Sequence, residues 1–270
     1  MLRPNLVASD VDGTLLTPTT TVTARTRAAV AAVIASGTPF VLVSGRPPRW
    51  IPRVAAAAST SGYAVCGNGA VIYHIGSDRV LGAIAMSPTV LHGVADALAE
   101  VLPGSSLAAE RVGRCAHDPE VTSFVIESGY THPWRDANPV LRSRAEILGK
   151  PAVKLLVRHP EMASEALAEA AGAVLDGAVD VTFSAGGGLV EISARGVTKA
   201  TGLAWVAGRL GVPAAEVLAF GDMPNDVSML RWAGHGVAMA NGHLLALSVA
   251  NEVTASNGED GVAQVLERWW

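Results

Sequence analysis

Residues Leu6–Leu16 read LVASDVDGTLL. A short apolar run ends at Ser9, and two aspartates, Asp10 and Asp12, follow one residue apart before Gly13 and Thr14. Two acids at a strand end have a bland reading as helix-capping groups and a chemical one as part of a site. A calcium loop of the helix-loop-helix kind starting at Asp10 would need glycine where Leu15 stands and glutamate where Thr21 stands, and it has neither. The choice depends on what surrounds the pair.

Working outward, Thr23–Ser36 (TARTRAAVAAVIAS) has apolar positions at helical spacing and stops at Gly37. Pro39–Val43 is strand-like, PPRWIPRVAAAAS a helix led by prolines, and Tyr63–Cys66 a third strand. The alternation returns late, with a helix at Thr198–Leu210, a strand at Val217–Phe220, a helix at Asn225–Ala233 and a strand at His235–Val237. Such alternation signals a parallel sheet with right-handed crossovers. Between the blocks lie a helix at Pro88–Val101 with Ser87 as N-cap, then strand signals near Leu107, Phe124, Val153–Val157, Val179–Phe183 and Leu189–Ile192, the last two joined by the turn AGGGL. The expected class is α/β: a Rossmann-like parallel-sheet core of residues 1–84 and 185–270, with an inserted α+β domain over 85–184.

The chain has 270 residues, half of them hydrophobic, enough for a substantial core. A formal net charge of −4 with scattered arginines offers no basic stripe for nucleic acid or anionic lipid. No membrane-spanning run or signal peptide is read, so a cytoplasmic location is expected and a small molecule is the expected partner. Oligomeric state is left open. Cys66 and Cys115, the only cysteines, lack metal-site spacing and are read as small apolar side chains.

In an open α/β sheet, ligands collect beyond the carboxyl ends of the strands. Asp10, Asp12, Gly13 and Thr14 follow the first strand; Ser44, Gly45 and Arg46 the second; Asn68 and Gly69 the third; Asp222, Asn225 and Asp226 the strand at Val217. Lys199 opens the helix before that last strand. Asp10, Asp12, Asp222 and Asp226 would repel one another without a cation, and magnesium is the simplest choice because it shares its coordination with a substrate phosphate. Lys199, Thr14, Ser44 and Asn225 can all donate to phosphate oxygens. The combination points to phosphoryl transfer.

DVDGTLL, SGR, Lys199 within GVTKATGL, and GDMPNDVSML together resemble the four ordered motifs of the haloacid dehalogenase superfamily of phosphatases. The large insert and the NGA tripeptide at Asn68 resemble its Cof-type sugar-phosphatase branch. The resemblance implies that Asp10 is a nucleophile forming an aspartyl-phosphate and that Asp12 is the general acid and base. Because alternate strand residues face opposite ways, both carboxyls reach one phosphate only if the strand ends and turns, which Gly13 permits. It further implies magnesium on the Asp10 and Asp222 carboxylates and the Asp12 carbonyl, supported by Asp226. Lys199 and Asn225 would hold the phosphate, Ser44 would assist and Arg46 would lie near the substrate. Asn68 is read either as an Asn-Gly turn or as a substrate contact.

The insert is implied to be a substrate-selecting cap, with Glu110, Arg111, Arg114, His117 and Lys154 as candidates against a commoner surface role. The expected activity is a magnesium-dependent phosphomonoesterase for small phosphate esters. A phosphomutase or phosphotransferase using the same intermediate, and a slowly turning over phospho-accepting domain, stand as alternatives.

Overall fold

The computed structural model describes residues 2–131 and 139–270. The chain divides into two compact units, Met1–Gly82 with Thr198–Trp270, and Ala83–Val197. In chain order the elements up to the boundary are β1 (Leu6–Ser9), α1 (Ala24–Ala35), β2 (Phe40–Val43), α2 (Ile51–Ala58), β3 (Tyr63–Cys66), β4 (Val71–His74) and β5 (Arg79–Ala83). The second unit holds α3 (Pro88–Val101), β6 (Ser106–Glu110), β7 (Phe124–Ile126), β8 (Val140–Leu141), α4 (Arg144–Leu148), β9 (Lys154–Arg158), α5 (Ser164–Leu175), β10 (Val179–Thr182) and β11 (Leu189–Ala194). The first unit resumes with α6 (Lys199–Leu210), β12 (Val217–Gly221), α7 (Val227–Trp232), β13 (His235–Met239), α8 (Leu244–Leu247), β14 (Glu252–Thr254) and α9 (Gly261–Leu266).

The first unit's sheet runs β14-β13-β12-β1-β2-β3-β4-β5. Its strands from β14 to β3 are parallel, and β4 pairs antiparallel with β3. β1 lies at the centre, paired in register with β12 on one side (Leu6 to Val217, Ser9 to Phe220) and β2 on the other. Strands covered on both faces must be apolar throughout, and LVAS and FVLV are buried at every position. Leu6, Ala8, Val41, Val43 and Val65 pack with Leu203 and Val206 of α6 in one cluster. Each fully buried Val or Leu contributes roughly 1.5–3 kcal/mol. The helices that frame the sheet start on hydroxyl caps: Thr23 accepts from the Thr26 amide, and Thr198 from Thr201.

The second unit builds a six-stranded sheet, β10-β11-β9-β6-β7-β8. β11 pairs antiparallel with both β9 and β10. This corrects the expected return to the core at residue 185: Leu189–Ala194 belongs to the inserted sheet, and the core resumes at Thr198. The hairpin that joins β10 to β11 is legible in the sequence, but the expected boundary cut through it because local sequence does not record a strand's neighbour. The β4–β5 extension and helices α4 and α5 were not anticipated. Among the described residues, no helix is long and apolar enough to cross a membrane.

Candidate active site

The central β1 delivers Asp10 to the carboxyl edge of the sheet, where its amide donates to the Phe220 carbonyl at 2.9 Å, past the end of the β1–β12 ladder. The chain then turns within Val11–Leu15, with Gly13 at φ 79°. Glycine is needed there twice over, since the backbone is left-handed and a Cβ would overlap the Asp222 carboxylate. The turn thereby lets the loop after β12 close onto the loop after β1. Thr14 Oγ1 completes the junction by donating to Asp222 Oδ1 at 2.7 Å.

Lys199, the first residue of α6, is 1% exposed and lays its ammonium between two acids, at 2.6 Å from Asp10 Oδ1 and 2.6 Å from Asp226 Oδ1. Burial pulls the lysine towards neutrality, but the charges and hydrogen bonds of Asp10 and Asp226 outweigh it and raise its pKa above the ordinary range. Asp226 is fully engaged: its Oδ2 accepts from the Asp222 amide at 3.0 Å and the Met223 amide at 2.9 Å. It serves as a brace that fixes both the lysine and the Asp222 backbone.

Asp10, Asp222 and Asp226 each offer an oxygen within 4.8 Å of the others. Three buried carboxylates against one ammonium leave an excess of two negative charges if all ionise. Burial is the main cause that holds the Asp10 carboxyl well above the usual carboxylate range; Lys199 pulls it down, while Asp226, Asp222 and Asp12 push it up. Asp222 is pushed up to about 7, first by burial and then by Asp226, against the lowering effect of Thr14 and Lys199. A hard divalent cation matches this donor set in charge and in ligand chemistry.

The other expected residues come to the same edge, each with a partner from the chain itself. Arg46, expected near the substrate, forks onto the Asp12 carboxylate, with Nε to Oδ2 at 2.7 Å and Nη2 to Oδ1 at 2.6 Å. Ser44 is buried and accepts from the Arg46 amide at 3.0 Å, which leaves its own hydroxyl proton to donate. Thr14, expected on the phosphate, directs its hydroxyl proton to Asp222 instead. Asn225 donates from Nδ2 to Asn68 Oδ1 at 3.1 Å.

One supporting residue was missed. Asn241, after β13, donates to the Gly13 carbonyl at 2.8 Å and accepts from the Asn257 amide at 2.8 Å, and the neighbouring His243 amide donates to the Asp222 carbonyl at 2.7 Å. Its signal was an Asn-Gly pair at a strand's carboxyl end, the same signal noticed at Asn68.

In the second unit, Lys154 is buried and paired with Glu191 at 3.0 Å, and Glu110 is buried too, so neither has the surface role that was the commoner expectation. Arg111 donates to the Glu146 and Ile147 carbonyls, and Arg114 to Asp118 and Glu120; His117 is exposed. Asp118 is held below the usual carboxylate range, chiefly by hydrogen bonds from the Arg114 and Glu120 amides.

A parallel sheet whose carboxyl edge gathers an aspartate pair, a lysine shared between acids and a cation-ready acid cluster defines a phosphoryl-transfer hydrolase class. The family model for haloacid dehalogenase-like hydrolases matches residues 7–266, and the chain belongs to that family. It is 28% identical over 282 aligned residues to the 5-amino-6-(5-phospho-D-ribitylamino)uracil phosphatase YitU of Bacillus subtilis, covering 99% of this chain and 98% of that one. Its fold is similar to SMU.1108c from Streptococcus mutans (TM-score 0.83, 21% identity, 98% of each chain covered). It is likewise similar to the subclass IIB sugar phosphatase BT4131 (TM-score 0.81, 21% identity, 98% of each chain covered).

Proposed function

We propose that this haloacid dehalogenase-superfamily phosphatase is a magnesium-dependent phosphomonoesterase for small phosphate esters of the sugar-phosphate kind, working through a phosphorylated Asp10. The observation that carries this reading is the placement of Asp10: a strand-end carboxylate fixed by the Lys199 ammonium at 2.6 Å, with a second acid, Asp12, two residues on. Lys199 neutralises charge beside the nucleophile and is fixed in place beforehand by Asp226.

The Asp10 carboxylate would attack phosphorus while the ester P–O bond breaks, and protonated Asp12 would give its proton to the departing alkoxide. Water then attacks the acyl phosphate, Asp12 takes its proton, and Asp10 is freed with release of inorganic phosphate. Asp10 and Asp222, with the Asp12 carbonyl, would hold magnesium, braced by Asp226; when bound, the ion supplies charge neutralisation for phosphate and carboxylates together. Ser44 and Asn225 would hold the phosphate beside Lys199. The Ala83–Val197 unit is proposed as the substrate-selecting domain, and the phosphoribitylamino-uracil and sugar-phosphate substrates named for relatives mark where a screen should start.

The test is phosphate release from a broad panel of phosphate esters, with and without magnesium, for the natural chain and Asp10→Asn. Magnesium-dependent release that vanishes in the variant supports the reading. Transfer of the phosphoryl group to a second sugar without net release would favour a phosphotransferase.

A further inference from the structure

Asn225 is buried, and its amide has one end engaged and one end orphaned. Nδ2 contacts Asn68 Oδ1 at 3.1 Å, whereas the equally buried Oδ1 has no hydrogen-bond partner. An amide oxygen can only accept, and a phosphate dianion offers only acceptors. Nδ2 keeps a second N–H, but the buried end with no partner is the acceptor, the wrong one for holding phosphate. Rotating both amides preserves the 3.1 Å contact but reverses its sense. Asn68 Nδ2 then donates to Asn225 Oδ1, which satisfies the buried acceptor, and the Asn225 NH2 becomes the orphan that a phosphate oxygen would satisfy. A buried acceptor without a partner costs about 1–3 kcal/mol, and at Asn225 the exchanged arrangement removes that cost once phosphate is bound.

We propose that Asn68 is a positioning residue that sets the orientation of the Asn225 amide, holding its oxygen so that its NH2 faces the phosphate. This rests on the phosphate-holding role of Asn225 proposed above, and it replaces the expected direct contact between Asn68 and substrate.

The backbone is built to hold Asn68 still. Its φ is 58°, in the left-handed region where asparagine is enriched among non-glycine residues. Its amide donates to the Ser44 carbonyl at 3.1 Å, and that of Gly67 to the Arg46 carbonyl at 3.0 Å. Gly69 presses on the Thr198 carbonyl so closely that a Cβ could not fit, and Thr198 is the residue before Lys199. The turn is thus tied to the loop that carries Ser44 and Arg46, to the start of α6, and through Asn225 to the loop after β12.

The test is a double-mutant cycle on the full chain with magnesium present, reading the Kd of inorganic phosphate by calorimetry and KM and kcat for p-nitrophenyl phosphate. Asn68→Gly keeps the left-handed backbone and removes the amide. Asn68→Asp keeps the shape but can only accept, which ties the Asn225 NH2 away from phosphate, and it provides a second variant should the glycine form fold poorly. Each is expected to raise Kd and KM about 10-fold with a smaller change in kcat, the loss of one charge-assisted hydrogen bond. In an Asn225→Ala background, where no amide remains to orient, Asn68→Gly should change neither by more than about 2-fold, and Asn68→Asp should lose most of its effect. Full additivity of the two sites overturns the proposal alone and restores a direct contact. Undiminished phosphate binding in Asn225→Ala by itself overturns the role of Asn225 and the proposal with it.

Discussion

Arg46 holds both carboxylate oxygens of Asp12 in a two-pronged ion pair, at 2.7 and 2.6 Å. The Asp12 side chain is 47% exposed, so the pair adds little to stability, about 0–1 kcal/mol. Its effect is on direction, because the planar fork permits one carboxylate orientation. Arg46→Ala is expected to leave Tm within a few degrees while kcat falls about 10-fold, a part of the roughly 10²–10⁴ that general acid-base help supplies. Arg46→Lys, which cannot fork, should fall between. Equal losses in Tm and kcat would show a structural role instead.

Lys199 is a different case because it is buried between two acids. Lys199→Met leaves Asp10 and Asp226 with no opposite charge, and breaking a buried pair this way costs about 3–5 kcal/mol. Urea denaturation of the metal-free protein should show a loss of that order, with phosphatase activity abolished. A variant as stable as the natural chain would mean the acids are protonated beside the lysine.

Gly13→Ala tests whether the turn sets the Asp222 carboxylate. The new Cβ must displace that carboxylate and strain a residue at φ 79°. Magnesium affinity measured by calorimetry should fall about 10-fold or more, in keeping with the cost of moving a metal site's supporting groups. Retained affinity would place the ion elsewhere.

Acidity supplies a fourth test. Asp222 sits near 7 against an ordinary 3.8, so the metal-free fold favours its protonated form. The sign follows: this group's contribution to stability is complete below about 4, declines as pH rises, and is lost above about 7. Magnesium held by the Asp222 carboxylate, as proposed, would compete with that proton. The rise in Tm on adding magnesium should therefore grow from pH 5 to about 7 and then level off. A magnesium effect independent of pH would sink the assignment of Asp222 as a ligand.

Much of this site was legible because phosphoryl chemistry needs particular groups at strand ends, and strand ends are visible as apolar runs that stop. β1 and β3 were read to the residue, and Asp10, Lys199, Asp222 and Asp226 meet as their motifs imply. What local sequence omits is partnership. It placed Thr14 on the phosphate and Arg46 near the substrate because their chemistry suits a ligand, and it did not show that each also engages an acid from another loop. It set the core boundary before β11 because a strand's neighbours are set by pairing across the chain. It passed over Asn241, whose function is to brace a carbonyl 228 residues away.

The pairing of β1 with β12 spans more than two hundred residues of chain, with the whole Ala83–Val197 unit between them. During synthesis the inserted unit is complete before β12 exists. Asp10 emerges early, yet neither its lysine nor the Asp222 loop is present until residues beyond 198 have been made. Such distant pairing is slow to form. Asp10 therefore has no lysine beside it at the nascent stage, and the site proposed here is assembled only when the late strands dock beside β1.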